Sequence, residues 1–146
     1  MTLRGEVTIE VPGPFTEALK KKLDRGLDDV ADFILTASQE LVPVDTGNLK
    51  RSGIIEREFL EKSIRYEAPY AEPVEYGRQP GFMPPVEPFI KWAHRHGSKD
   101  PERAAWAIAN KIKNEGIPPR PFLRPALVQV EGQMGRIMQA QMDRGD

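Results

Sequence analysis

The chain has 146 residues, a length typical of one domain, and its net charge of −1 gives no bulk electrostatic reason for nucleic-acid binding. Cysteine is absent, which excludes disulfides, thiolate metal sites and thiol nucleophiles together. No apolar run approaches the about 20 residues that a membrane-spanning helix needs, and the first residues lack a signal-peptide apolar core, so export is not expected.

The first predicted elements are a short strand and a long helix. Apolar and polar residues alternate from Glu6 to Val11, which predicts a half-buried strand that ends at Pro12-Gly13-Pro14. From Phe15 to Leu41 the apolar residues recur every three or four positions and form one stripe of a long helix. Pro43 ends this helix, because the residue before a proline disfavours helical dihedral angles.

A small sheet is predicted next. Residues 51–59 and 62–68 have the composition of two strands, connected by residues 60–62. Residues 70–76 predict a short third strand, and Pro73 places it at a sheet edge. The side chains expected on the buried face of the first two strands are Ile55, Phe59, Ile64 and Tyr66.

The second half of the chain is predicted to be mostly helical. A proline-rich and glycine-rich loop at residues 78–85 precedes two helices, at residues 86–96 and 100–116. The second of these has the clearest cap signal, an aspartate followed by a proline at the first helical position. Residues 118–121 predict a stiff extended arm, and one amphipathic C-terminal helix begins near Phe122 or Pro125.

The tripeptide Asp45-Thr46-Gly47 also carries the catalytic aspartate of aspartic proteases. In those enzymes it follows an apolar strand, Ala or Ser comes next, and two copies share a proton. Here a predicted helix precedes it and Asn48 follows, so a structural turn is favoured. In that turn, which leads the chain from the long helix into the sheet through Asp45 and Thr46, the Asp45 side chain accepts backbone N–H groups ahead of it, Gly47 takes a positive φ, and Leu49 returns to the core. A hydrolase that uses Asp45 remains an alternative.

Other polar groups indicate no catalytic, cofactor or metal site. His94 and His96 are two positions apart on a predicted helix, so their side chains point about 200° apart and cannot clamp one metal ion. Neither a phosphate-binding glycine loop nor a nucleophile elbow at Ser52 is present. Nothing in the spacing selects a catalytic pair among the nearby carboxylates Glu72, Glu75 and Glu87.

One alternative from another functional class rests on a basic cluster. Residues 20–22 are three consecutive lysines, and Arg25 follows them. A small DNA-binding protein could use this cluster, although acidic residues lie among and beside these basic ones.

Three motifs occur in a fixed order after the first helix. They are Pro43-Val44-Asp45-Thr46-Gly47-Asn48-Leu49 with Ser52, then Tyr70-Ala71 leading to Val74-Glu75-Tyr76-Gly77, and then Pro118-Pro119-Arg120-Pro121-Phe122-Leu123-Arg124-Pro125-Ala126-Leu127. Through this ordered set the chain resembles the tail-completion, or head–tail joining, family of long-tailed bacteriophages. The resemblance implies an α+β fold with a small antiparallel sheet on a long N-terminal helix, followed by a C-terminal helix. The predicted helical pair at residues 86–116 is longer than the loop that the family would lead us to expect there.

The resemblance also implies a function without catalysis. Family members form rings, commonly of six subunits, at the neck between the capsid portal or adaptor and the tail. The implied partners are other copies of the chain and neighbouring neck, adaptor and tail proteins, while genomic DNA passes through the ring without sequence-specific binding. The implied location is the head–tail junction of the virion, and the host cytoplasm during assembly. Tail termination and head closure in the same neck remain alternatives.

Two stiff segments are the predicted docking elements of such a subunit. The loop at residues 77–85 and the arm at residues 118–125 are partly apolar and lose little entropy when they dock. Arg120 and Arg124 are expected to pair with carboxylates of a neighbouring subunit. The complete set of interface candidates is Gly77, Phe82, Pro119, Arg120, Pro121, Phe122 and Arg124.

Overall fold

A three-stranded antiparallel sheet packs against one long helix, which confirms the predicted α+β class. The computed structural model describes residues 3–9, 14–43 and 47–144, and within these ranges it contains three strands and seven helices. The strands, in the sheet order β1-β3-β2, are β1 (Leu3–Thr8), β2 (Gly53–Glu58) and β3 (Glu61–Tyr66). The helices are α1 (Glu17–Leu41), α2 (Asn48–Arg51), α3 (Ala71–Tyr76), α4 (Glu87–Arg95), α5 (Pro101–Glu115), α6 (Leu123–Glu131) and α7 (Met134–Met142).

Helix α1 is the element on which most others pack. Its N-cap is Thr16, whose hydroxyl accepts the Leu19 N–H at 3.2 Å. The predicted apolar stripe is confirmed in its second half, where the buried residues include Leu27, Val30, Ala31 and Ile34. Phe15 was expected on the stripe, but it precedes the helix and is 42% exposed. Among the described residues, no helix combines the length and apolarity needed to cross a membrane.

The sheet has one face toward α1, and its register fixes which side chains are buried. Gly5 of β1 lies opposite Ile64 of β3, which lies opposite Ile55 of β2. Ile64 and Tyr66 are buried, as predicted. Strand β1 begins earlier than predicted, and the expected apolar position Val11 lies outside the described residues.

The prediction that Phe59 is buried is wrong. The register pairs Glu58 with Glu61, so Phe59 and Leu60 form a two-residue hairpin turn at the end of the sheet. Phe59 is therefore 55% exposed, and Leu60 takes the positive φ of 62° that this tight turn requires. The observed turn at residues 59–60 therefore begins one residue before the predicted connection at residues 60–62.

The predicted third strand at residues 70–76 is also wrong, because this segment forms helix α3. Pro73 lies in the first turn of α3, where backbone N–H groups have no acceptor within the helix. A proline there costs no hydrogen bond, so it is compatible with a helix start as well as with a sheet edge. The start of the predicted first strand likewise belongs to a helix, the short α2.

The C-terminal helix is present but divided into two. A turn at Gly132 and Gln133 separates α6 from α7, and the Gln133 N–H bonds to the Val130 carbonyl at 2.9 Å. Both helices pack on α1.

Helices α4 and α5 form a pair that packs mainly on itself. The predicted cap is confirmed, since the Asp100 carboxylate accepts the Arg103 N–H at 3.1 Å. Phe89, Ala105 and Ile112 form a small separate cluster, whereas Trp92 of α4 joins the main core. That residues 86–116 are an insertion within a single domain spanning residues 1–146 stays a prediction.

Candidate functional site

The two predicted docking elements meet on one surface. Arg78 and Ile117 exchange both backbone hydrogen bonds at 2.8 Å, which ties the loop after α3 to the arm after α5. The Gly81 N–H also bonds to the Lys113 carbonyl at 2.6 Å. We call the surface formed by residues 76–82 and 111–121 the proline face. The sequence predicted its two segments separately, and the fold joins them.

Two glycines allow the segments of the proline face to approach closely. Gly77 has a φ of 77°, and a Cβ at this position would lie 2.9 Å from Cδ of Pro119. Gly116 has a φ of 69°, and its Cβ would lie 2.5 Å from the carbonyl oxygen of Arg78. Both positions combine a left-handed backbone with a contact that leaves no room for a side chain. Gly77, predicted as an interface residue, therefore has a structural role within the chain.

The proline arm is held in place before any partner arrives. The backbone N–H of Arg120 bonds to the Val74 carbonyl at 2.8 Å, so the arm is attached to α3. Pro118, Pro119 and Pro121 fix the φ angles on either side of Arg120. All four residues are exposed, and the arm would lose little conformational entropy on binding.

Glu75 is a fully buried carboxylate that caps helix α6. Its Oε2 accepts the backbone N–H groups of Phe122 and Leu123 at 2.7 and 2.9 Å, and its Oε1 accepts that of Arg124 at 2.8 Å. These N–H groups open α6 and have no acceptor inside the helix. The side chain of the N-cap residue Phe122 has no hydrogen-bond acceptor, so Glu75 of α3 supplies the acceptor instead. A negative charge here is also favoured by the helix dipole.

Arg124 binds within its own chain, and its pairing with a carboxylate of a neighbouring subunit stays a prediction. Its Nε lies 3.2 Å from Oε1 of Glu75, and its guanidinium carbon lies 4.6 Å from the centre of the Tyr76 ring. The side chain remains 53% exposed. Its position follows from the cap, because Arg124 stands in the first turn of α6 directly beside the capping carboxylate.

The prediction that Phe122 lies in a subunit interface is wrong. Its side chain is fully buried and meets the Tyr66 ring edge-on, with 4.9 Å between the ring centres. The physical reason is that the proline arm ends at the core, where Phe122 anchors it between the sheet and α6. The remaining candidates on the arm and loop, Pro119, Arg120, Pro121 and Phe82, are exposed in the folded chain.

A short polar chain lies behind Phe122. The Tyr66 hydroxyl is 2.6 Å from Oγ of Ser38, and Oγ in turn donates to the Leu35 carbonyl at 2.9 Å. Burial raises the pKa of Tyr66 to about 12; the hydrogen bond with Ser38 lowers it and the nearby Glu75 charge raises it. The phenol is therefore held neutral at physiological pH.

The proline face is basic and partly apolar. Its cations are Arg78, Lys111, Lys113 and Arg120, with Glu115 as its carboxylate. Phe82 is 56% exposed, and the Arg78 guanidinium lies 4.6 Å from the centre of its ring. Two open grooves of about 660 and 410 Å³ cross the face and share Glu115, Ile117 and Pro118. Such a surface suits an acidic protein partner with an apolar centre.

The predicted turn residues are only partly visible. Asp45 and Thr46 lie outside the described residues. Gly47 has the predicted positive φ, at 77°, and is the N-cap of α2. Leu49 returns to the core and is buried, as predicted.

Three of the four residues of the basic cluster of α1 have partners within the chain. Lys20 pairs with Glu17 at 3.4 Å, and Lys22 donates to the Arg144 carbonyl at 3.1 Å. Arg25 also has an interaction partner. These contacts weaken the case for an open DNA-binding cluster on this helix.

The histidines occupy the end of α4. Nδ1 of His96 lies 2.8 Å from the Trp92 carbonyl in the last turn of the helix. Across residues 3–9, 14–43 and 47–144, no group of three or more His, Asp or Glu side chains is arranged to hold a metal ion.

Residues 14–77 match the model of a protein family described as "Bacteriophage HK97-gp10, putative tail-component". The resemblance to a bacteriophage tail family is confirmed. The matched segment begins before α1 and ends at Gly77, so it contains Glu75 but not the proline arm that Glu75 holds. Comparison with curated proteins and with solved structures gave no significant match.

Sequence reasoning missed the capping role of Glu75. Its three backbone donors lie 47 to 49 positions away, so no local pattern connects them. One signal was available: the last predicted helix begins at Phe122, after a proline, with no Ser, Thr, Asp or Asn to cap it. A helix start of that kind needs an acceptor from elsewhere in the chain.

Proposed function

We propose that this chain is a structural, non-catalytic subunit of the phage neck that joins the capsid portal or adaptor assembly to the tail. The family match supports a tail component of a bacteriophage. The observation that carries the joining role is the union of both docking elements in one rigid, basic, partly apolar surface, the proline face. A protein that connects two assemblies needs such a surface ready before its partner arrives.

The mechanism is geometric. Backbone bonds from Arg78 and Arg120 hold the loop and the arm, and the Glu75 cap holds the helix that follows. The face therefore docks with little ordering cost, and its arginines and lysines select an acidic neighbour. In the virion the subunit sits at the head–tail junction as a ring, commonly of six copies. Genomic DNA passes through this ring without sequence-specific binding. Tail termination or head closure would use the same surface at another level of the neck.

Reversal of charge on the proline face tests this proposal. Lys111 and Arg120 are exposed, and both line the smaller groove. A Lys111→Glu and Arg120→Glu double variant should fold normally but fail to restore joined particles in a phage that lacks the chain. Electron microscopy should then show separate heads and tails.

A matched control separates face-specific effects from general ones. Lys99 is exposed in the turn before α5 and belongs to neither segment of the proline face. Lys99→Glu should leave particle joining unchanged. Normal numbers of joined particles from the double variant would overturn the proposal. A salt-dependent gel shift of DNA that is abolished when Lys20, Lys21, Lys22 and Arg25 are replaced by alanine would favour the DNA-binding alternative instead.

A further inference from the structure

A second surface of the chain differs from the proline face in charge. An open groove of about 540 Å³ runs between α1 and the C-terminal helices, and we call it the acidic groove. Its lining residues are Asp29, Asp32, Phe33, Thr36, Ala37, Glu40, Gln129, Ile137 and Ala140. Three carboxylates and no basic side chain line it, whereas its centre is apolar.

The acidic groove arises from a second stripe on α1. Its α1 residues span Asp29 to Glu40 in alternating steps of three and one, so they share one side of the helix. This stripe lies beside the buried one. Phe33 and Ile137 contact the core but stay partly exposed, so the middle of the groove offers apolar surface.

The carboxylates of the groove differ in how they are used within the chain. Asp32 pairs with Arg57 at 2.8 Å, and Asp29 accepts the Gln141 amide at 2.6 Å. Glu40 is exposed, and its carboxylate has no hydrogen-bond or ion-pair partner among the described residues. It is therefore the carboxylate most available to a partner.

The two surfaces complement each other and share no residue. The proline face carries four cations and one carboxylate, and it presents Phe82 and the ring of Tyr76. The acidic groove carries three carboxylates around an apolar centre. Opposite charges at the rim and apolar surfaces at the centre are the usual arrangement of a specific protein interface.

We propose that the proline face of one copy docks in the acidic groove of the next copy, with Arg120 facing Glu40. Because the two surfaces differ, the contact is heterologous, and repetition of it produces a ring or a filament rather than a two-fold dimer. The inference rests on the proposed function, since a neck ring needs two different complementary faces. It adds to the proposed function the identity of the two surfaces that meet between neighbouring copies.

The absence of cysteine allows a direct test by disulfide cross-linking. Glu40→Cys and Arg120→Cys chains, mixed and oxidised, should form a heterodimer, and a chain with both substitutions should form a ladder of oligomers. Glu61, the first residue of β3, and Lys99, in the turn before α5, provide the control pair, since both are exposed and belong to neither surface. The Glu61→Cys and Lys99→Cys mixture should remain monomeric.

Charge exchange gives a second readout by sedimentation. Glu40→Arg or Arg120→Glu alone should weaken self-association by about tenfold, and the two together should restore it to within about threefold. Failure of the pair to cross-link above control, or of the double variant to recover, would overturn the inference. If oligomers form through other surfaces, this pairing is wrong while the neck role stands. If Lys111 and Arg120 prove dispensable for particle joining, the proposed function fails instead.

Discussion

The carboxylate of Glu75 accepts two hydrogen bonds from Arg124, one from its backbone N–H at 2.8 Å and one from its Nε–H at 3.2 Å. The two residues belong to motifs 49 positions apart, one before and one after the α4–α5 pair. Their contact joins the two ends of the segment that contains the α4–α5 pair. It also fixes the residues immediately before α6, which form the proline arm. A buried cap thereby sets the position of an exposed surface.

Loss of the Glu75 cap should lower the free energy of unfolding substantially. Glu75→Ala leaves three buried or partly buried N–H groups without their acceptor, and we expect a loss of about 3 kcal/mol or more in the free energy of unfolding. Glu72→Ala, on the same helix but partly exposed, should cost less than about 1 kcal/mol. Urea unfolding monitored by circular dichroism measures both. Equal midpoints for the two variants would show that the cap contributes little.

The steric cost of a side chain at position 77 should be separable from the cost of the positive φ of Gly77. Gly97 has a φ of 76°, almost that of Gly77, but a Cβ there meets no atom within 4 Å. Gly97→Ala should therefore lose only about 1 kcal/mol for the left-handed backbone. Gly77→Ala should lose at least about 2 kcal/mol, because its Cβ also meets Pro119. Thermal unfolding of the pair tests this; identical melting temperatures would exclude the steric contribution.

The buried Lys62 makes stability depend on pH in the acid range. It pairs with Asp24 at 2.7 Å. Burial acts to raise the pKa of Asp24, but hydrogen bonds from Lys62 and the Leu60 N–H outweigh it, so the pKa lies below its ordinary value. A lowered pKa in the folded state stabilises the protein above the unfolded value of about 4, and this contribution is lost as the pH falls through the folded value.

Asp24→Asn should accordingly destabilise the protein by about 2 kcal/mol at pH 7, and the difference from the parent chain should shrink below about pH 4. Urea titrations at pH 7 and in acid measure it. Glu131→Gln, which changes an exposed carboxylate of α6, serves as the control and should show no such dependence. A difference that stays constant with pH would mean that the ion pair does not cause it.

Tyr66 should dominate the alkaline behaviour. Its pKa is raised to about 12, above the ordinary value of about 10. The folded state therefore holds the proton longer than the unfolded state, and stability decreases between about pH 10 and 12. Absorbance titration of the phenolate should show a late step for one of the three tyrosines, absent in Tyr66→Phe. Persistence of that step in the variant would assign it to another tyrosine.

The elements that sequence predicted well are those whose signals are local. The stripe of α1 and the cap of α5 depend on residues within a few positions of one another, and both are confirmed. The segment at residues 70–76 was mistaken for a strand because Pro73 fits both a sheet edge and the first turn of a helix. Phe59 was placed in the core because periodicity alone does not locate the turn of a hairpin.

The candidate site was predictable in its parts and not in its connections. The exposed prolines and Arg120 follow from composition, since such segments cannot build a core. That Phe122 is buried against Tyr66 and Arg124 is bound to Glu75 depends on contacts between residues far apart in the sequence. Only the folded chain brings these residues together, so both were assigned to an interface with another subunit.

Immunogold labelling of phage particles tests the proposed neck role most directly. An epitope placed in the exposed turn at Lys99 leaves the proline face and the acidic groove free. The neck assignment predicts gold at the junction of head and tail in most particles. Label confined to the soluble fraction, or distributed along the tail away from the junction, would contradict it.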